Sequence, residues 1–228
     1  MNLQEHYTNM WNNALQHFER NAFEYDFLID SVKDYRFGVT LVAKPSTETQ
    51  HEIAKMLCDL QLSEPEQYYY PLADFHITIL SIISCYDGFK LSNIDINAYT
   101  NVIRKSLRNI RSFPIMFEGI TASPACIIIQ GFAGDEIEKL RNNLRDNFRN
   151  TSLETSIDKR YQIHTAHSTV VRFRHALKDR YTFIEKIKRY RNFYFGTTEV
   201  QELKFVFNDW YQRHLDEHEL AKFELPLY

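Results

Sequence analysis

One four-part pattern occurs twice in this chain, and that repeat limits the fold more than any single residue does. An apolar strand over 35–44, ended by Pro45, is followed by a helix over 47–62, a polar and tyrosine-rich loop, and a strand over 74–84 carrying Phe75-His76-Ile77-Thr78-Ile79-Leu80. A strand over 125–130, a helix over 135–149 and a second polar loop over 150–165 lead in the same way to a strand over 166–175 carrying Ala166-His167-Ser168-Thr169-Val170-Val171. Alternation and β-branching predict strands at both motifs. Side chains at i and i+2 share a strand face, so His76 sits beside Thr78 and His167 beside Thr169. A duplicated lobe with one histidine in each half should close about a pseudo-two-fold axis and bring both motif strands to one cleft.

Chance alone gives roughly half an H-x-T triplet in a chain of this composition. Three are present. The third, His6-Tyr7-Thr8, lies where Leu3, Tyr7, Trp11, Leu15 and Phe18 predict an amphipathic helix over 3–21, so its two polar side chains diverge and it reads as coincidence. That helix either packs on the body or forms a dimer contact of an otherwise monomeric protein. Elsewhere, Thr47 and Gln50 fit a capping box for the 47–62 helix. A helix is expected over 96–111. Phe113, Ile115 and Phe117 alternate as a strand, and Gly119–Pro124 turns into the next one. A basic helix over 178–191 precedes two closing strands, 199–209 and 219–226.

The net charge of −3 excludes a broad cationic footprint for nucleic acid and leaves room for a short nucleotide or one RNA end. Cys58, Cys85 and Cys126 are widely spaced, which suits reduced thiols in a cytoplasmic protein, with Cys85 and Cys126 as core residues. The N-terminus has no apolar leader, and no apolar run approaches the ~20 residues of a membrane span.

Two imidazoles facing one another suit phosphoryl chemistry. With an ordinary pKa of about 6.5, one can take a proton from an attacking hydroxyl while the other gives one to the leaving oxygen. Thr78 and Thr169 can donate to phosphate oxygens where charge builds up. The sequence has no HExxH, EF-hand loop, Walker A or GxSxG pattern, so neither metal nor cofactor is expected.

The paired H-x-T strands, with Phe113–Ile120, Cys126–Gln130, Glu199–Trp210 and Phe223-Glu224-Leu225, resemble the two-histidine (2H) phosphoesterase superfamily. That group includes the LigT-like RNA 2′,3′-cyclic phosphodiesterases, long called 2′-5′ RNA ligases. The likeness covers about residues 35–228 as one bilobal domain, with 1–34 as a helical extension. It implies an α+β fold of two pseudo-symmetric lobes, each an antiparallel sheet with helices outside, around a central cleft. It implies a hydrolase that cleaves a cyclic or 2′-linked phosphodiester of a nucleotide or RNA end without metal. His76 and His167 would be the acid/base pair, in either assignment, and Thr78 and Thr169 the phosphate binders. Arg172 matches an arginine common in the family, although strand parity points it away from His167 unless a bulge re-aims it. Ser168 departs from the usual apolar residue.

Tyr70, with Tyr68 and Tyr69, lies ahead of the first motif strand; these rings either stack on a base or simply pack the loop. His164 reads as a surface residue. The run Lys178, Arg180, Lys186, Lys188, Arg189 and Arg191 either draws phosphates or forms a solvated helix face. Two alternatives stay open: a silent nucleotide- or RNA-end-binding module using the same cleft, and a metallohydrolase with His76 and His167 as ligands.

Overall fold

The computed structural model describes residues 2–227. Its elements run α1 (Leu3–Glu19), β1 (Arg36–Ala43), α2 (Thr47–Ser63), β2 (Tyr68–Tyr69), β3 (Ile77–Asp87), α3 (Ile96–Ser106) and β4 (Phe113–Ser123). They continue β5 (Cys126–Ala133), α4 (Asp135–Arg149), β6 (Ser168–Arg172), α5 (Arg180–Arg189), β7 (Tyr194–Val200), β8 (Glu202–Asp209) and β9 (Glu219–Glu224). One sheet has the order β3-β1-β8-β9 and the other β2-β6-β5-β4-β7; every ladder is antiparallel.

These orders display the repeat. β1 and β5 are the central first strands, and β3 and β6 are the motif strands beside them. β8 and β4 flank on the other side, with β9 and β7 beyond. The chain is thus an α+β protein of two pseudo-symmetric antiparallel lobes. The helices cross over. α2 follows β1 but rests on β7 of the other sheet, and α4 follows β5 but rests on β3. One hydrophobic core therefore runs through both lobes, from Leu41, Ile77 and Phe205 to Ile127, Val171 and Phe195.

α1 lies on β4, with Tyr7, Ala14 and Phe18 buried. The Thr121 hydroxyl donates to the Tyr7 carbonyl at 3.0 Å, and Phe18 stacks on Phe23. This is the packing alternative for the N-terminal helix.

Several expected boundaries differ. The cap of α2 is Ser46, whose hydroxyl accepts from the Thr49 N–H at 3.3 Å, while Gln50 donates to the Pro45 carbonyl. α3 ends at Ser106. Gly119 does not turn the chain: β4 passes through it as a bulge at φ 72°, and the turn comes after Ser123. The segment read as one strand over 199–209 is two. β7 ends at Val200, and the chain changes sheets at Gln201 before β8 begins. Period-2 alternation is the same in both sheets, so it carries no mark of that exchange.

Candidate functional site

Both histidines stand at the foot of their strands rather than inside them, just before β3 and β6. They line one cleft of about 230 Å³, together with Thr78, Thr169, Arg172 and Tyr70. All six residues singled out from the sequence therefore meet. His164 is exposed, as expected.

The strand geometry explains why. Opposite β1, Leu41 pairs with Leu80 and Val42 with Thr78, so Ile79 is an extra residue. Opposite β5, Ile127 pairs with Val171 and Ile128 with Thr169, so Val170 is extra. Each motif strand has a bulge one residue after its threonine, and a bulge shifts the facing of all that follows. Hence Thr169 and Arg172 share the cleft face despite their odd spacing. Their counterparts are Thr78 and Ser81, both on the cleft wall. A second register shift, at Ile82, brings Ser84 to the same wall. The two halves differ in charge at this step: arginine in one, serine in the other.

Each loop ahead of a motif strand is tied to the edge of the other lobe's motif strand. Tyr68 and Tyr69 pair with Arg172 and Val171, and the Tyr70 N–H donates to the Val170 carbonyl at 3.1 Å. The Ser156 N–H donates to the Ile82 carbonyl at 2.9 Å, and the Ser84 N–H to the Ser156 hydroxyl at 2.6 Å. This crossing covers both edges and joins the lobes across the cleft.

His76 is 6% exposed. Its Nδ1 lies 2.7 Å from the Asp74 carbonyl. A carbonyl only accepts, so Nδ1 carries the proton and the neutral ring offers a bare Nε2. His167 Nδ1 lies 2.6 Å from the Thr165 hydroxyl, which can give or take and so fits either tautomer. Burial pulls both imidazoles down to about 4; Arg172 and Lys44 add to this at His76, and His76, Arg141 and His6 add to it at His167. Both rings are therefore neutral near pH 7.

A stability prediction follows. Over the window from about 6.5 down to about 4 the unfolded chain binds a proton that buried His76 refuses, so stability is full above pH 6.5 and falls as pH drops through that range. The loss for this one ring is on the order of 3 kcal/mol. Urea melts at pH 7 and pH 4.5 should show a lower midpoint in acid, and His76→Gln should show a smaller difference. Parallel shifts in the two proteins would contradict the buried neutral ring.

Tyr70 is 3% exposed; its hydroxyl donates to the Tyr211 carbonyl and accepts from Arg172 Nε, both at 2.9 Å. It thereby fixes Arg172, whose guanidinium also lies over the Tyr211 ring. Tyr68 and Tyr69 are half-buried in the β2 ladder, so packing accounts for them. The basic run lies away from the cleft: Lys186 pairs with Asp59, Lys178 with Glu66, and Arg191 donates to Ile120 and Gln130. Cys85 is a correction. It lies half-buried in the cleft wall beside Asn208, and burial pushes its thiol up to about 12. The Ser168 hydroxyl is buried without a hydrogen-bond partner among the described residues.

Residues not singled out from the sequence complete the cleft. Gln212 donates from Nε2 to the Thr78 hydroxyl at 3.3 Å, which leaves that O–H free to point elsewhere. Trp210, whose ring lies against the guanidiniums of both Arg36 and Arg160, lines the cleft with Tyr161. Among the described residues, no group of three or more His, Cys, Asp or Glu side chains is arranged to hold a metal ion, and no helix is long and apolar enough to cross a membrane.

No protein-family model and no curated protein matches the sequence. Solved structures match in fold. LigT of E. coli, solved with ATP, aligns at a TM-score of 0.51 and 11% identity over 84% of this chain and 99% of its own. TT0787 of Thermus thermophilus gives 0.55 at 13% identity, over 83% of this chain and 98% of its own. ATU0111 of Agrobacterium tumefaciens, a conserved protein of unknown function, gives 0.54 at 14%, over 92% and 97%. The chain has a LigT-like fold.

Proposed function

We propose that the protein is a phosphodiesterase that cleaves a cyclic, 2′,3′-type or 2′-linked phosphodiester of a nucleotide or RNA end by acid/base catalysis between His76 and His167. The observation that carries this reading is the convergence of both H-x-T pairs and Arg172 on one cleft. LigT of E. coli, which shares the fold, has been solved with ATP, with 3′-AMP and with phosphate.

The residues divide the work as follows. A phosphoryl group between the rings supplies negative charge beside them, and so lets one ring hold a proton while the other stays neutral. The neutral ring takes the proton of the attacking water; the charged ring protonates the leaving ester oxygen. The P–O bond to the leaving oxygen breaks as the bond to water oxygen forms, and the two rings exchange protonation states. Thr78 and Thr169 donate to the non-bridging oxygens, and Arg172, held by Tyr70, adds a fixed cation.

The test is turnover of 2′,3′-cyclic mononucleotides and of a short RNA with a 2′,3′-cyclic end, in the presence of EDTA. Turnover supports the proposal. Tight binding of the panel with no product would instead make the cleft a silent binding module, and loss of turnover only on chelation would return the histidines to the role of ligands. Thr78→Val and Thr169→Val should each lower kcat/KM by about 10- to 10²-fold, the worth of one hydrogen bond to a charged group. Variants as active as the parent would remove the threonines from the mechanism.

A further inference from the structure

The helix α4 buries Ile137, Leu140, Leu144 and Phe148, and the same inward stripe includes Arg141. Its side chain is fully buried, and Glu138, at 2.8 Å from Nη1, pairs with it. The other donors go to main-chain carbonyls at the feet of the two motif strands. Nε reaches Ile79 at 2.9 Å, and Nη2 reaches both Thr78 at 3.2 Å and Thr165 at 2.7 Å. Thr78 and Ile79 lie at the first bulge, where the register against β1 shifts. At the second bulge the Val170 carbonyl accepts from the Tyr70 N–H. A single planar guanidinium thus joins the first H-x-T segment to the residue whose hydroxyl touches His167.

We propose that Arg141 is a positioning residue: it sets the spacing of the two imidazoles through the carbonyls of Thr78, Ile79 and Thr165, and it puts a permanent positive charge behind the anion site. The inference rests on the proposed function for the identity of the anion, a phosphoryl group. The charged and titratable groups acting on His167 are His76 from the first motif, Arg141 from α4 and His6 from α1, with the hydroxyls of Thr165 and Tyr7 nearby. Arg141 is the one of these that carries charge at every working pH.

The test uses the NMR titration of the His167 ring and calorimetric binding of inorganic phosphate. Neither needs turnover, so both read out even if the cleft only binds. In Arg141→Met the His167 midpoint should rise toward the ordinary histidine value and phosphate affinity should fall about 10-fold, the scale of one desolvated charge pair. Arg141→Lys keeps the charge but not the fork. Its phosphate affinity should stay within about threefold of the parent, while its His167 ring signal broadens as the brace loosens. Glu138→Gln removes only the half-exposed counter-charge, leaves the brace intact and should lower the His167 midpoint. If Arg141→Met does not fold, Glu138→Gln decides. An unchanged His167 midpoint and unchanged phosphate affinity in the folded variants would overturn the proposal.

Discussion

His76→Ala and His167→Ala should each lower turnover of a cyclic phosphodiester by about 10²- to 10⁴-fold, the usual worth of one positioned acid or base. The double variant should be scarcely worse than the weaker single one, because a proton relay missing either partner has lost its function. The circular dichroism spectrum should remain that of the parent. His76 lies at the end of its strand and makes one backbone contact, so its removal leaves a small cavity beside Tyr70 and no break in a ladder. Measuring kcat/KM against pH adds a second check. The parent should be bell-shaped, and each single variant should lose one limb. Near-full turnover in either variant would end the two-histidine mechanism.

Gly131→Ala should do comparable damage without touching the cleft. A Cβ on Gly131 would stand 1.9 Å from the Ala166 carbonyl oxygen, which is main chain and cannot rotate away. Ala166 immediately precedes His167. Gly131 is also fixed from the other side, where the Tyr7 hydroxyl donates to its carbonyl at 3.1 Å and accepts from its N–H at 3.3 Å. The strand cannot retreat, so the second motif segment must move. A loss of roughly 2 kcal/mol or more in stability is expected from overpacking, and a fall of about 10²-fold in turnover from a ring displaced by about 1 Å. A domain of ordinary stability survives the first loss, which allows the second to be measured on folded protein. Parent-like melting and turnover would mean that Ala166 gives way freely, and that α1 and β5 do not fix the second histidine.

The first lobe and the motif strands were legible because their signals are local. Apolar alternation marked β1 and β3, helical spacing marked α2 and α4, and two H-x-T triplets in matching surroundings marked the histidines. The direction of Arg172 was not settled by that reading, since simple parity turned it outward. A signal was nonetheless present: Thr78, Ser81 and Ser84 recur every third residue in an apolar strand, as do Thr169 and Arg172. A period of three in a strand marks bulges, and the paired registers contain them. Arg141 left a fainter trace, as a cation on the apolar stripe of α4. Spacing says that such a residue is buried but not which carbonyls receive it.

By itself the sequence determined that this chain has two similar halves and that each presents a histidine and a threonine from an apolar strand. Those properties follow from neighbours a few residues apart, where backbone geometry dictates which side chains share a face. Only the tertiary structure decided that the chain changes sheets at Gln201, that each loop is tied to the other half's motif strand, and that Arg141 reaches carbonyls 62, 63 and 24 residues away. The physical reason is that buried carbonyls must find donors, and the donor is whichever group the packing brings near, however far off it lies in the chain.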